Sequence, residues 1–371
     1  MSEQLQLRRG TASQVAAFTG AQGEVVVDST NNRLVVQDGA TAGGFAAARL
    51  NELLAQPLGF ALQGGQLVAS VASNNLTVAV KTIAGADPTP ASPVTVTFRD
   101  AALAGGNQNP VAITAATSFT VNSGNGLGTA NGVPFRLWVV GFNDAGAFRL
   151  GLINCVVGAA SPTQIFPLLE SMLQSSTGGN GGASAATFYT GTAVAAKALR
   201  ILGYLEYASG LSTAGAWTSA PTTVHLLGPG GRKPGDIVQV VYATISTTTS
   251  STSASFAATS ATANITPTAA CNLIEARATG AAAGTTNQAV ELKLMRNGGA
   301  AQVGISAQIF ANNSAISAVQ EVGGFDAPQT TSSIDYTVYM ANGNTGAGAC
   351  FFPQSSFSNP RGAITIKEYM A

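Results

Sequence analysis

Acid–base chemistry at neutral pH is most readily carried by histidine, and the 371-residue sequence contains one, His225. It lies in the apolar alternation Val224-His225-Leu226-Leu227, with no Ser and Asp nearby in sequence to make a triad, and reads as a structural histidine. Gly124-Asn125-Gly126-Leu127-Gly128 and the stretch Gly178–Gly182 look like phosphate-cradling loops, yet neither precedes a helix opening with Lys-Ser or Lys-Thr; they read as turn and linker. Asp28, Asn31, Asn32 and Asp38 are oxygen donors that a cation could collect, but the D-x-[DN]-x-[DN]-G spacing is absent and turn chemistry accounts for them. Cys155, Cys271 and Cys350 are odd in number, far apart and without a C-x-x-C or His companion, so they read as buried reduced thiols. A glycosidase needs two carboxylates at a set separation. The 17 acidic residues propose no such pair locally, and the long β-helical repeat that many polysaccharide depolymerases use is missing. No catalytic, cofactor-binding or metal-binding residue is assigned, and the expectation is a protein that is not an enzyme.

Binding is the remaining chemistry. Phe325, Tyr336, Tyr339, Phe351, Phe352 and Phe357 fall near turns among Asn, Gln and Ser, a mixture suited to stacking on a sugar ring and hydrogen-bonding its hydroxyls. Filling a core or a subunit interface is the competing use of such residues. The segment Gly346–Phe357 concentrates them, and Phe351, Phe352, Gln354 and Phe357 are the candidate receptor-binding residues.

These side chains must be positioned by strands. Gln66–Val71, Leu76–Thr82, Val94–Arg99 and Ser118–Asn122 alternate, and Phe135–Phe142 forms a hairpin with Phe148–Cys155 around Asn143-Asp144-Ala145-Gly146. Leu137, Val139, Leu150 and Leu152 are expected on one face. Leu199–Tyr207 and Thr223–Leu227 alternate again. Two short helices are expected, over 46–56, where Leu50, Leu53 and Leu54 have helical spacing before Pro57, and over 162–176, where Ile165, Leu168, Leu169, Met172 and Leu173 make a stripe. The Gly/Ser stretch 175–185 is marked as mobile or solvent-exposed. Gly228–Gly235 is the strongest punctuation and sets a domain boundary. Beyond it, Ile237–Thr244, Cys271–Thr279, Ala289–Arg296, Gln302–Phe310, Ala315–Gly323, Ile334–Met340 and Ala363–Tyr369 have the spacing of a β-sandwich. Ser246–Thr262, nearly all Ser, Thr and Ala, is either an edge strand near a three-fold axis or an exposed loop.

The first residues are the most specific. Gly23–Asp28 and Arg33–Asp38 flank the turn Ser29-Thr30-Asn31-Asn32, a β-hairpin of β-branched strands. With no helix expected beside it, so small a sheet needs an outside partner for its apolar face. The stretch L-R-R-G-T-A-S-Q-V-A-A-F-T-G-A-Q-G-E-V-V-V-D-S-T-N-N-R-L-V-V-Q-D-G-A-T-A-G-G-F resembles the N-terminal domain of the major tropism determinant family of phage receptor-binding proteins, and of many phage and prophage tail fibres. The resemblance covers about one eighth of the chain. It implies an intertwined trimeric β-prism at the virion-proximal end, with Arg8, Arg9, Val25, Val27, Leu34 and Val36 serving trimerisation and attachment. The distal lectin domain of that family leaves no trace here. Asn131–Asp144 and Phe188–Val194 are similar to segments of uncharacterised phage fibre proteins.

Composition agrees. Asp, Glu, Lys and Arg make up 9% of residues, against roughly 25% in ordinary soluble domains, and the signs cancel at 17 each. Lacking a Lys/Arg cluster larger than Arg8-Arg9 or Arg232-Lys233, the chain is not expected to bind nucleic acid. No basic and apolar leader opens the sequence and no run of about eighteen apolar residues occurs, so synthesis in the bacterial host cytoplasm and residence in a virion are expected. The expected architecture is mostly β: an N-terminal β-prism-like trimerisation domain over 1–58, a central β domain with short helices over 59–235, and a C-terminal jelly-roll-like β-sandwich over 236–371. The expected function is a homotrimeric tail fibre or spike that touches other virion proteins at its N-terminus and a host cell-surface glycan or protein at its distal end. The alternatives are a head fibre, decoration or connector protein without receptor binding and, further off, a polysaccharide depolymerase.

Overall fold

A computed structural model describes residues 7–47, 61–100, 102, 104, 107–344, 348–354 and 362–371. The chain is mostly β and divides into two compact units, Met1–Leu58 and Gly59–Ala371. The helix expected over 46–56 falls, beyond Ala47, outside the described residues.

In the first unit, strands Arg8–Gly10, Val25–Asp28, Arg33–Val36 and Phe45–Ala46 form one sheet in chain order. The hairpin pairs Val25 with Val36 and Asp28 with Arg33, while Arg8–Gly10 joins in parallel, Arg8 opposite Val26. A parallel neighbour needs a crossover, and the crossover here contains the helix Ala12–Ala16, contrary to the expectation of none. Thr11 caps it: its side chain accepts from Gln14 N while Gln14 Oε1 accepts from Thr11 N, a reciprocal capping box. Val15 on this helix is buried with Val26 and Val35, and Phe18 packs against all three.

The first core of the second unit is built by three small sheets. Gly65–Ala72, Asn75–Thr82 and Thr117–Val121 form one, Val94–Arg99 and Gln108–Ile113 another, and Lys197–Tyr207, Phe135–Asp144 and Ala147–Asn154 are the centre of a seven-stranded third. Phe135–Asp144 is paired on both sides and buries alternate residues on both faces, Leu137 and Val139 on one and Trp138, Val140 and Phe142 on the other. Leu150 and Leu152 share the face of Leu137 and Val139. The hairpin turns at Ala145 and Gly146, both at positive φ, as a two-residue loop with the twist of its strands requires.

The helix expected over 162–176 does not form. Pro162 and Pro167 interrupt the donors a helix would need, and the segment spends its backbone on two short pairings, Gln164–Ile165 with Val156–Val157 and Leu173–Gln174 with Lys197–Ala198. Leu168 alone of the expected stripe is fully buried, whereas Leu169 and Met172 are exposed.

The second core lies inside a ten-stranded sheet. Its main path runs Ile237–Ile245, Gly362–Tyr369, Leu273–Gly284, Ile316–Asp326, Ala301–Phe310, Ala289–Arg296, Ile334–Asn342 and Ala257–Ile265, and it curls in a barrel-like way, so that the first of these strands lies against the last. The Ser/Thr/Ala stretch is therefore largely strand, Thr249–Ser251 and the edge strand Ala257–Ile265, with alternate residues buried. Curvature is concentrated where Ala301–Phe310 meets Ile316–Asp326 at the bridge Ile305–Gly323. Gly304 and Gly323 both have positive φ there, and a Cβ on Gly323 would collide with the Ala276 carbonyl oxygen.

Replacing Gly323 by Ala should destabilise the second unit by about 2–3 kcal/mol, adding a backbone clash to the cost of a left-handed residue. Gly146→Ala, whose Cβ would meet nothing within 4 Å, should cost about 1 kcal/mol. Denaturant midpoints of the two variants check the difference, and equal midpoints would refute the close-approach argument.

Candidate functional site

The N-terminal sheet has two unlike faces. Val26 and Val35 point to the helix, and the Arg8 guanidinium on that side lies 4.5 Å over the Phe18 ring and 3.3 Å from the Glu24 carboxylate. Register places Val25 beside Val36 and Val27 beside Leu34 on the other face, with Arg9 opposite Val27 and Phe45 opposite Val36. Leu34, Val36 and Phe45 are exposed and Val25 and Val27 half-buried, so this unit carries a contiguous apolar face that the described residues leave uncovered. Of the residues expected to serve assembly, Arg9, Val25, Val27, Leu34 and Val36 are on that face; Arg8 is on the helix side.

The turns beside this sheet are fixed by carboxylates. Asp28 accepts from Thr30 N, Asn31 N and Asn31 Nδ2, which lower its pKa, the Asn31 side chain most. Asp38 accepts from the Thr41 hydroxyl at 2.7 Å and from the Thr41 and Ala40 amides, holding its pKa down at about 2. Hydrogen bonds within the turns thus engage the Asp28 and Asp38 carboxylates, two of the four groups considered as cation ligands. Among the described residues no cluster of three or more His, Cys, Asp or Glu is placed to hold a metal.

In the second unit the two cores are joined by buried polar groups. Arg136, 4% exposed, donates through Nη2 to Glu206 Oε2 at 2.7 Å and through Nη1 to Asn272 Oδ1 and the Ala371 carbonyl. Asn272 Nδ2 in turn donates to Glu368, 0% exposed, which also accepts from Gln239 Nε2, Thr268 N and Thr268 Oγ. Over Arg136, Tyr204 makes a cation–π contact at 4.5 Å, and His225 stacks on Tyr204 at 4.9 Å. A cleft of about 340 Å³ opens beside these rings. His225 therefore belongs to an aromatic stack beside a guanidinium. Sequence alternation placed His225 in its strand but carried no signal that residues 136, 206, 272 and 368 would converge.

The expected receptor-binding residues separate. Phe352 is fully buried in the second core and cannot touch a ligand at the surface; Phe351 is half-buried on the strand Cys350–Phe352; Gln354 is half-buried, its backbone N bonded to the Ala281 carbonyl. Phe357 lies outside the described residues. Tyr336 is likewise a core residue, its hydroxyl donating to Asp326 Oδ2 at 2.8 Å. Among the other aromatics considered, Phe325 is 55% exposed. The cysteines are buried and free, and burial raises all three thiols, Cys271 to about 11, so none is a thiolate nucleophile at neutral pH. The two glycine stretches bond to each other, Asn122 N to the Asn180 carbonyl and Leu127 N to that of Gly182, and so serve as paired turns.

The chain thus opens with a small capped sheet that has an exposed apolar face, followed by serial β structure. Residues 5–41 match the family model of the major tropism determinant N-terminal domain, and this segment is similar to such a domain. The chain is 57% identical over 49 residues to the tail fiber receptor-binding protein of Bordetella phage BPP-1, a stretch that spans 13% of each protein. Among solved structures, the major tropism determinant I1 variant is 21% identical, with 57% of this chain and 42% of that chain covered at a TM-score of 0.18. The infectious bursal disease virus Gx strain structure is 10% identical, with 84% and 76% covered at a TM-score of 0.23. At those scores neither structure defines the fold of the chain.

Truncating Arg136 to Met should cost the second unit about 3 kcal/mol or more, because Glu206 loses its partner at a largely buried position. Lys81→Ala, which breaks the exposed pair with Asp87, should cost under about 1 kcal/mol; chemical denaturation compares them. Because the folded-state pKa of Asp38 lies below its ordinary 3.8, its turn is fully supported above about pH 4 and loses that support as pH falls through about 2. An NMR titration should show the Ala40 and Thr41 amides moving with a midpoint near 2; a midpoint near 4 would contradict the hydrogen bonding.

Proposed function

We propose that this protein is a bacteriophage virion fibre or spike, a homotrimer that attaches to other virion proteins through its N-terminal domain and meets a host cell-surface glycan or protein with its distal β structure. The observation that carries the reading is the major tropism determinant N-terminal domain at residues 5–41, together with the uncovered face of Val25, Val27, Leu34, Val36 and Phe45 that such a domain presents. Three copies meeting through these faces would bury the aliphatic side chains that one copy leaves in water, and would wrap the small sheets into a prism.

The division of labour follows residues 1–58 for attachment, 59–235 for a central β domain and 236–371 for the distal domain, whose curled sheet we take as a jelly-roll-like sandwich. Support for the last boundary is the change of core near residues 228–236, from the cluster around Trp138 to the one around Tyr336. A trimer would present three distal sites together, and effective concentration would raise a weak single-site affinity by a factor of about 100 or more. The name of the BPP-1 relative supports receptor binding as the role. The chain, made in the host cytoplasm, would reach its target as part of the particle, and its balanced charge gives it no patch for nucleic acid. Catalysis is not part of the reading.

The full-length chain should have a native mass three times that of its monomer. Leu34→Glu with Val36→Glu should reduce the trimer population at least tenfold, since the charges would be desolvated in the interface, and should abolish incorporation into particles. A gold label at the C-terminus should mark the tail tip of wild-type particles. A monomeric native mass would sink the proposal, and a label on the capsid would replace receptor binding by a head-fibre role.

A further inference from the structure

The loop that follows the strand Ala147–Asn154 and the end of the strand Ile316–Asp326 line a recess of about 370 Å³. At its rim Phe325, 55% exposed, packs 5.8 Å from the Tyr369 ring and keeps over half its surface in solvent. In its wall Arg296 Nη1 donates to both carboxylate oxygens of Asp326 at 2.9 Å, a pair further held by the Tyr336 hydroxyl. Gln329 and Ser161 add neutral polar groups.

A second, inner pocket of about 20 Å³ adjoins the outer one, with Pro162, Leu273, Ala327 and Gln329 lining both. That is room for roughly one or two water-sized groups and too little for a ring. Its wall includes Val156, Ala270 and two amides, Gln329 and Asn154, the latter 1% exposed. Asn154 Oδ1 accepts from Val156 N at 3.0 Å, which fixes the orientation of the amide, since the reverse would set donor against donor. Its Nδ2 is fully buried and has no hydrogen-bond partner in the protein. A buried donor without an acceptor is costly, and an incoming acceptor recovers the cost.

We propose that this recess binds an N-acetylated amino sugar. The acetamido group enters the inner pocket, its carbonyl oxygen accepting from Asn154 Nδ2 and its methyl resting against Val156 and Ala270. The pyranose ring lies along Phe325, as the apolar face of a sugar does on an aromatic ring. Asp326, with lone pairs left by Arg296 and Tyr336, accepts from hydroxyls, and Gln329 supplies both a donor and an acceptor. This assignment rests on the reading that the protein recognises a host surface and names the chemistry of what it recognises. It also moves the site from the segment 346–357 to the seam between the two cores.

The test uses the full-length chain with N-acetylglucosamine, N-acetylgalactosamine and N-acetylmannosamine, the three unacetylated hexoses as controls, and an acetyl-lysine peptide. Saturation-transfer NMR should give its strongest signal at the acetyl methyl of at least one amino sugar and none with the hexoses. Phe325→Ala, at an exposed position, should weaken binding at least tenfold with an unchanged melting temperature. Asn154→Asp, which keeps the acceptor to Val156 and removes the donor, should abolish the methyl signal. The proposal is overturned if no acetylated sugar binds, if the hexoses or the acetyl-lysine peptide bind as tightly, or if Phe325→Ala binds like wild type. Adsorption of the same protein to cells of the phage's host separates the two readings. Adsorption without sugar binding removes this site and leaves the receptor role, whereas sugar binding without adsorption keeps the site and removes the role.

Discussion

The second unit depends on one buried arrangement of charge. Glu368 is without solvent contact, and a carboxylate in that position is tolerable only when every lone pair is used. Gln239, Thr268 and Asn272 supply the donors from two segments of the C-terminal region, a strand and a loop. Asn272 then passes its own oxygen to Arg136, whose other nitrogen is neutralised by Glu206 on the neighbouring strand. The chain of contacts runs from the strand Gly362–Tyr369 to the strands Phe135–Asp144 and Lys197–Tyr207, so it holds the C-terminal sheet to the first core. Packing adds to it: Met370 joins the first hydrophobic cluster and the Trp138 indole donates to the Ala371 carbonyl. Apolar contact alone tolerates sliding between two sheets; a hydrogen-bonded guanidinium tolerates very little, and the recess at Phe325 lies along the same junction.

Much of the β structure was legible in the sequence because alternation survives wherever a strand has one dry and one wet face. Ala289–Arg296 is expected and found at the same bounds, and the hairpin centred on Ala145-Gly146 is found with its four leucine and valine positions on one side. The failures have physical causes. Residues 162–176 have a helical stripe of apolar residues, but Pro162 and Pro167 deny the backbone, and short strand pairings claimed it. The helix Ala12–Ala16 was overlooked although Thr11 and Gln14 spell a capping box, since five residues give too little periodicity to register. Gln108–Ile113 escaped notice because Pro110 interrupts it, a residue that a two-stranded ribbon accepts at its outer edge.

The candidate site was far less legible. Aromatic residues near turns are used both for cores and for ligands, and sequence alone cannot divide them; burial assigns Phe352 and Tyr336 to the core and leaves Phe325 in solvent. Asn154 ends an apolar strand and looks like an ordinary turn residue, which in part it is, through Val156. Its other amide atom matters only because loop 158–162 and residues 270–273 close over it, a convergence across more than a hundred residues that no local pattern records. The same is true of Arg136 with Asn272 and Glu368.

The two units therefore meet their physical constraints in opposite ways. Residues 59–371 form two cores of their own, joined by the buried hydrogen bonds of Arg136, Glu206, Asn272 and Glu368. Among the described residues the N-terminal sheet has Val15, Val26, Val35 and Phe18 for a core, few for a sheet of its size to stand alone, and it leaves Leu34, Val36 and Phe45 exposed. The smaller unit thus has a minimal core and an exposed aliphatic face, whereas the larger one has two cores and a buried hydrogen-bond network between them.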